Sequence, residues 1–146
     1  MNNIFNYCGD LKFKGYYDSF MEVLRDLSDE KSQIKAWKNG EYDFGTVEYM
    51  GHKNHIFFYE FSDLSSSFLE DSETILTLHI EVGFSEEQLH MIKKLYDMVE
   101  NYDSTTGERD HNNNAIGKTD AQVADDPKWH VIRDYAKQVY KELAKG

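Results

Sequence analysis

The sequence predicts an α+β fold: an antiparallel meander sheet of three to four strands, with an N-terminal helix and two C-terminal helices packed on it. Three observations point there. Runs rich in β-branched and aromatic residues fill the stretch from Glu41 to Val82, and such residues suit a pleated, half-buried surface. Turn chemistry breaks these runs at Asn39-Gly40 and at Gly51-His-Lys-Asn54. Apolar residues at helical spacing flank them on both sides.

At the N-terminus, Leu11-Lys-Phe-Lys14 alternates and fits a short strand, although residues 1–14 are ambiguous. Over 16–28 the residues Tyr17, Phe20, Met21, Leu24 and Leu27 recur at the spacing of one helical face. Ser19 and Glu22 have the spacing of a capping box, which would start that helix late. Asn39-Gly40 is open to two interpretations. Glycine in the left-handed region can end a helix, and Asn-Gly is also the strongest short hairpin signal. The pattern favours a strand at 33–38, with Trp37 facing Tyr42 across the turn.

Two further strands follow, Glu41–Met50 and His55–Phe61. An odd-numbered loop between them sets Val47 and Tyr49 on one face with Phe57, Tyr59 and Phe61, since a one-residue slip inverts the faces. Ser62–Ser67 is expected as a loop. Thr74–Val82 alternates, with Leu76, Leu78, Ile80 and Val82 on one side and Thr77, His79 and Glu81 on the other. A helix over 86–101 starts at Ser85, with Gln88 completing a capping box and Phe84 and Leu89 at staple positions. Residues 103–125 read as a long polar loop, a type that is usually functional or disordered. Asp126 then caps a last helix with Pro127 at its first position. Trp129, Ile132, Ala136, Val139, Tyr140 and Leu143 form that helix's apolar face. Asp125 and Asp126 at its start, and Lys141 and Lys145 at its end, suit the helix dipole.

At 146 residues the chain has the size of one domain. A single cysteine, Cys8, excludes an internal disulfide framework and fits a reducing compartment. As a lone cysteine it is expected to pack as a small hydrophobe rather than to react. No apolar run approaches the ~20 residues that span a bilayer, and Met1–Tyr7 lacks the charged and apolar regions of a signal peptide. A cytoplasmic location is expected. The formal net charge of -11 disfavours direct binding to nucleic acid or to an anionic membrane, because both need Lys and Arg.

Few residues form a chemical set. His52, His55, His79 and Glu81 have the side chains of a zinc or manganese site or of a general base, but their spacing is generic and no third ligand stands at a fixed distance. Asp110, Asn112 and Asn114 open like a calcium loop. The positions that need Gly and a bidentate Glu are Ala115 and Ala121. Asn112–Thr119 ends like a phosphate-cradling loop but lacks its first glycine. No Gly-x-Ser-x-Gly elbow occurs. No cofactor is expected.

What remains is negative charge beside aromatic rings. Carboxylates steer a basic surface and tyrosines anchor it. The expected contact set is Glu41, Tyr42, Asp43, Glu48, Tyr49 and Glu60. The function expected from this is that of a small acidic inhibitor, of the immunity type or of a phage or mobile-element anti-defence type. It would bind a basic protein such as a toxin, a nuclease or another nucleic-acid-binding protein. The competing expectation is a metal-dependent enzyme or small-ligand binder built on His79, Glu81 and the hairpin histidines. A third is a homodimer joined through an exposed sheet edge.

Overall fold

The computed structural model describes residues 11–41, 60–78 and 83–145. Of these residues 73% are helical, and a helical bundle replaces the expected three- to four-stranded meander. In chain order the elements are α1 (Leu11–Leu27), α2 (Glu30–Gln33), a π-helical segment (Ile34–Lys38) and α3 (Phe61–Thr77). Then come α4 (Glu86–Glu100), β1 (Thr105–Arg109), β2 (Ala115–Gly117), α5 (Asp120–Asp125) and α6 (Pro127–Ala144).

The four long helices close a ring: α1 packs on α3, α3 on α4, α4 on α6, and α6 back on α1. Neighbours run antiparallel. Phe20 of α1 meets Phe68 of α3, and one step earlier in α1 Ser19 donates to Asp71 Oδ2 at 2.7 Å, further along α3. The first residue of α3, Phe61, packs on Tyr102 just past the end of α4. Tyr102 in turn reaches Trp129 in the first turn of α6. Phe20, Leu24 and Leu27, Leu64, Phe68 and Ile75, Ile92 and Leu95, and Ile132, Ala136 and Val139 fill the interior. Within each set neighbouring members are three, four or seven residues apart, so each helix buries one stripe.

Helix α1 begins earlier than the expected 16–28. It takes in Leu11–Lys14 as helix rather than strand, and Ser19 sits mid-helix instead of capping it. The strand expected at 33–38 is helical. Asp29 caps α2 by accepting from the Ser32 N–H at 3.0 Å. The turn after Lys38 ends it: Gly40, at φ +72°, donates to Ala36 O and the Glu41 N–H donates to Lys35 O, both at 3.0 Å. Only glycine adopts that φ without strain. Of the two roles open to Asn39-Gly40, the helix stop operates, and it leaves Ala36 and Trp37 buried.

The largest correction falls on Phe61–Leu78, expected as a strand end, a serine loop and the start of an alternating strand. It is α3 with its C-cap. Leu64, Phe68, Ser72 and Ile75 lie on its buried stripe, so a buried serine occupies a place where an apolar residue was needed for the pattern to be visible. Ser65, Thr74 and Thr77 turn their hydroxyls onto Ser62 O, Glu70 O and Glu73 O, which satisfies them within the helix. The first N–H of α3 donates to Asp120 Oδ2 at 3.3 Å, a residue 59 positions away. The strands expected over 42–59 and 79–82 lie outside the described residues.

Helices α4 and α6 match expectation. Ser85 and Gln88 form the full capping box, and Asp126 accepts from Lys128 N–H with Pro127 in the first turn. Between them, 103–125 carries a hairpin and the short α5 in place of a plain loop. The hairpin pairs Thr105 with Gly117 and Arg109 with Ala115, with an irregularity between Thr105 and Arg109, where Gly107 takes φ +88°. Asp110 Oδ1 closes its tip by accepting from the Asn112 and Asn114 N–H groups at 2.9 Å each. The alternate spacing of Asp110, Asn112 and Asn114 therefore serves a side-chain-closed turn.

Candidate functional site

The two ends of the bundle differ, and the difference locates the candidate site. At the end where α1 and α4 finish, rings pack against one another, Phe61 edge-on to both tryptophans. Phe61 lies 5.1 Å from Trp129 and 6.0 Å from Trp37, and Tyr102 lies 5.3 Å from Trp129, centroid to centroid. Several polar side chains pair among these rings. Gln33 Nε2 donates to the carbonyls of Asp26 and Leu27 at 2.9 Å, and its Oε1 accepts from Trp129 Nε1 and Arg133 Nη1 at 3.0 Å. Arg133, 2% exposed, reaches Glu30 with Nη2 at 3.3 Å. Burial holds the Arg133 guanidinium below its ordinary pKa, with Glu30 and Asp134 opposing.

Tyr102 donates to Asp126 Oδ2 at 2.6 Å, and Lys118 Nζ stands 3.2 Å from the same oxygen. Burial, then this bond, raises the Tyr102 hydroxyl. Burial also works against the charge on Asp126, but the Tyr102 hydroxyl, the Lys128 N–H and Lys118 outweigh it and hold that carboxyl below the usual range. This end is closed; the buried Arg133 Nε has no hydrogen-bond partner among the described residues, while its Nη1 and Nη2 are engaged.

The other end opens as a groove of about 570 Å³ between α1 and α3, lined by Tyr16, Glu70, Glu73, Thr74, Thr77 and Leu78. The α3 residues at 70, 73, 74 and 77 fall on one face because they are three, four and seven apart. None of the six lining residues is basic. Glu73 Oε2 accepts from the Tyr96 hydroxyl at 2.7 Å, and Glu100 from the same hydroxyl at 3.3 Å. The bond to Glu73 comes first in pushing the Tyr96 hydroxyl up to about 12. Beside the groove, Asp71 is raised above the ordinary carboxylate value by burial, with Glu70 adding to it and the Ser19 hydroxyl opposing. A cationic side chain entering here would meet two carboxylates, two threonines, a tyrosine ring and a leucine.

A second, smaller depression of about 420 Å³ lies on α4, bordered by His90, Lys93, Lys94, Asp97, Met98 and Asn101. Its cations are already engaged: Lys93 pairs with Asp97 at 2.7 Å, and Lys94 sits 4.9 Å over the Tyr135 ring. Among the described residues no group of three or more His, Cys, Asp and Glu could hold a metal ion, and no helix is long and apolar enough to cross a membrane.

Of the residues expected to form a contact set, two are described. Glu41 is exposed and follows the Gly40 helix stop. Glu60 is exposed at the N-cap of α3, its carbonyl accepting from Leu64 N–H. Tyr42, Asp43, Glu48 and Tyr49 lie outside the described residues, as do His52, His55, His79 and Glu81 of the metal alternative. The groove was missed because Glu70 and Glu73 read as a prelude to a strand. Their spacing to Thr74 and Thr77 was the available signal. Nothing local pointed to Tyr16 or Tyr96. No family model, curated protein or solved structure matches the chain.

Proposed function

We propose that this chain is an acidic protein-binding module that seats Lys or Arg side chains of a basic partner in the α1–α3 groove. The partner class is a toxin, a nuclease or another nucleic-acid-binding protein, and the mode of action is inhibition by covering the cations that partner uses for its own substrate. The observation that carries this reading is the groove itself, with Glu70 and Glu73 beside Tyr16 and no basic residue among the described lining residues, on a chain of net charge -11. Long-range attraction speeds encounter, and the tyrosine ring and carboxylates hold the bound cation.

The test is binding of the full chain to a panel of basic nucleases, with acidic proteins of equal size as controls. At least one nuclease is expected to bind and to lose activity. Its affinity should weaken roughly tenfold or more between low and high salt, as expected for exposed charges. Substituting Glu70→Gln and Glu73→Gln together should weaken it further, while Glu108→Gln on the hairpin should not. An interface indifferent to salt and to both groove carboxylates would refute the proposal.

A further inference from the structure

The hairpin of β1 and β2 stands apart from the core. From Gly107 to Gly117 every residue is exposed, so packing does not account for this element. Its register fixes where its backbone groups point. Lys118 N–H donates to Ser104 O at 2.7 Å, and Asp110 N–H donates to Asn114 O at 2.9 Å. These bonds flank the Thr105–Gly117 and Arg109–Ala115 pairs, which makes both of them non-hydrogen-bonded pairs of the antiparallel ladder. The N–H and C=O groups of Ala115 and Gly117 therefore point away from β1, and those of Ile116 point towards it.

The two edges of the hairpin differ. On β1, Asp103 Oδ1 accepts from the Thr105 N–H at 2.9 Å, and Thr106 Oγ1 accepts from the Glu108 N–H at 3.1 Å. Gly107 breaks the regularity of the strand at φ +88°. Spent donors and an irregular backbone blunt that edge. β2 has no such protection. It reads Ala115-Ile116-Gly117, without charge or proline, and among the described residues nothing bonds to its outward groups. Ile116, 37% exposed, is one of two exposed large hydrophobics among the described residues; the other is Val131 on α6.

The β2 edge is complementary to itself. A second copy laid antiparallel about Ile116 sets Ala115 opposite Gly117 of the second copy, and Gly117 opposite Ala115 of the second copy. Each pair can exchange both N–H and C=O. Ile116 then meets its own counterpart in a non-hydrogen-bonded pair, where side chains come closest. Asn114 and Lys118 face each other next along the seam, so no carboxylate is set against a carboxylate there. A two-fold axis requires one patch that fits itself, and this edge is such a patch.

We propose that β2 is the interface of a two-fold homodimer, in which two hairpins join edge to edge as one antiparallel sheet centred on Ile116. The seam is short, so the dimer belongs to the weak class, with a Kd on the order of 100 µM to 1 mM. It lies on a different element from the α1–α3 groove and does not depend on the groove's role. Each chain carries a charge of -11, so screening favours association. Salt strengthens this contact and weakens one with a basic partner.

The test is sedimentation velocity of the full chain from about 10 µM to about 2 mM, a range set by that Kd, at low and high salt. The mass is expected to rise with concentration from one chain towards two, and to rise further at high salt. Ala115→Pro removes an outward N–H that the hairpin does not use, and should weaken the dimer about tenfold or more. Ile116→Lys sets two cations side by side at the axis and should do the same. Val131→Lys should leave the dimer unchanged. A natural chain that stays monomeric throughout, or a dimer that survives both β2 substitutions, would overturn the proposal. If either β2 variant fails to fold, amide exchange in the natural chain decides. Protection of Ala115 and Gly117 that grows with protein concentration supports the interface, and protection that ignores concentration removes it.

Discussion

The two ends of the bundle use similar residues for opposite purposes. At the closed end, aromatic rings and polar side chains face inward onto one another, as with Trp129, Gln33 and Tyr102. At the open end, Tyr16, Glu70 and Glu73 line a groove that faces solvent. A buried polar atom is worth having only when it is bonded, and leaving one unpaired is expensive. The closed end therefore carries stability, and the proposed recognition would fall at the open end. Substitutions at the first should move folding with little effect on binding, and those at the second the reverse.

The sharpest way to break this contrast is Trp129→Ala. It removes a fully buried ring that contacts Phe61, Tyr102 and Trp37, and should cost about 3–5 kcal/mol by chemical denaturation. A loss no larger than that of a surface change would show that the ring cluster does not hold this end together. Gln33→Ala comes next. It strands the Trp129 and Arg133 donors and two carbonyls, for an expected loss of about 2–4 kcal/mol. Gln33→Glu should recover part of it by restoring an acceptor for Arg133.

Asp26→Asn tests the same end with the opposite sign. The folded carboxyl is raised, so the native state holds the proton more tightly than the unfolded chain does, and stability falls as pH rises from about 4 to about 7. Asparagine removes that loss. The variant should gain stability at pH 8, by no more than about 4 kcal/mol for a shift of this size, with the gain closing below pH 4. Thermal melts across pH measure it. Tyr102→Phe keeps the ring contacts and deletes the 2.6 Å bond to Asp126, for an expected loss of about 1–2 kcal/mol. Asp126 is held low, so its contribution is present above the unfolded carboxylate value and lost as pH falls through the folded one. Tyr102→Phe should therefore show a weaker acid-limb dependence. Smallest in folding terms is the Glu70→Gln, Glu73→Gln pair at the open end. Stability should change by within about 0.5 kcal/mol, while affinity for a basic partner and its salt sensitivity both drop.

Where the sequence was legible, the cause is local. Ser85 and Gln88 cap α4 within four residues, and Asp126 with Pro127 opens α6 in the same way. The apolar stripe of α6 was readable in full, apart from Arg133, which joins the buried face through Gln33 and Glu30 on other elements. Helix α3 was illegible for the converse reason. Its cap comes from Asp120, its stripe contains Ser72, and its last turn alternates as a strand would. Asn39-Gly40 was open to a helix stop and to a hairpin, and the favoured strand at 33–38 gave way to a helix that the Gly40 turn ends, because a left-handed glycine is compatible with both roles.

By itself the sequence determined the charge, the lack of an internal disulfide pair, the stripes of α1, α4 and α6, and the caps of α4 and α6. All of these depend on composition or on residues within one or two turns of each other. Only the tertiary structure decided that 61–77 is a helix, that Gln33 joins three elements, and that Glu70 and Glu73 share a groove with Tyr16. Those outcomes rest on contacts between residues tens of positions apart, and there the burial of side chains on another element outweighs the weak preference of a short segment for helix or strand.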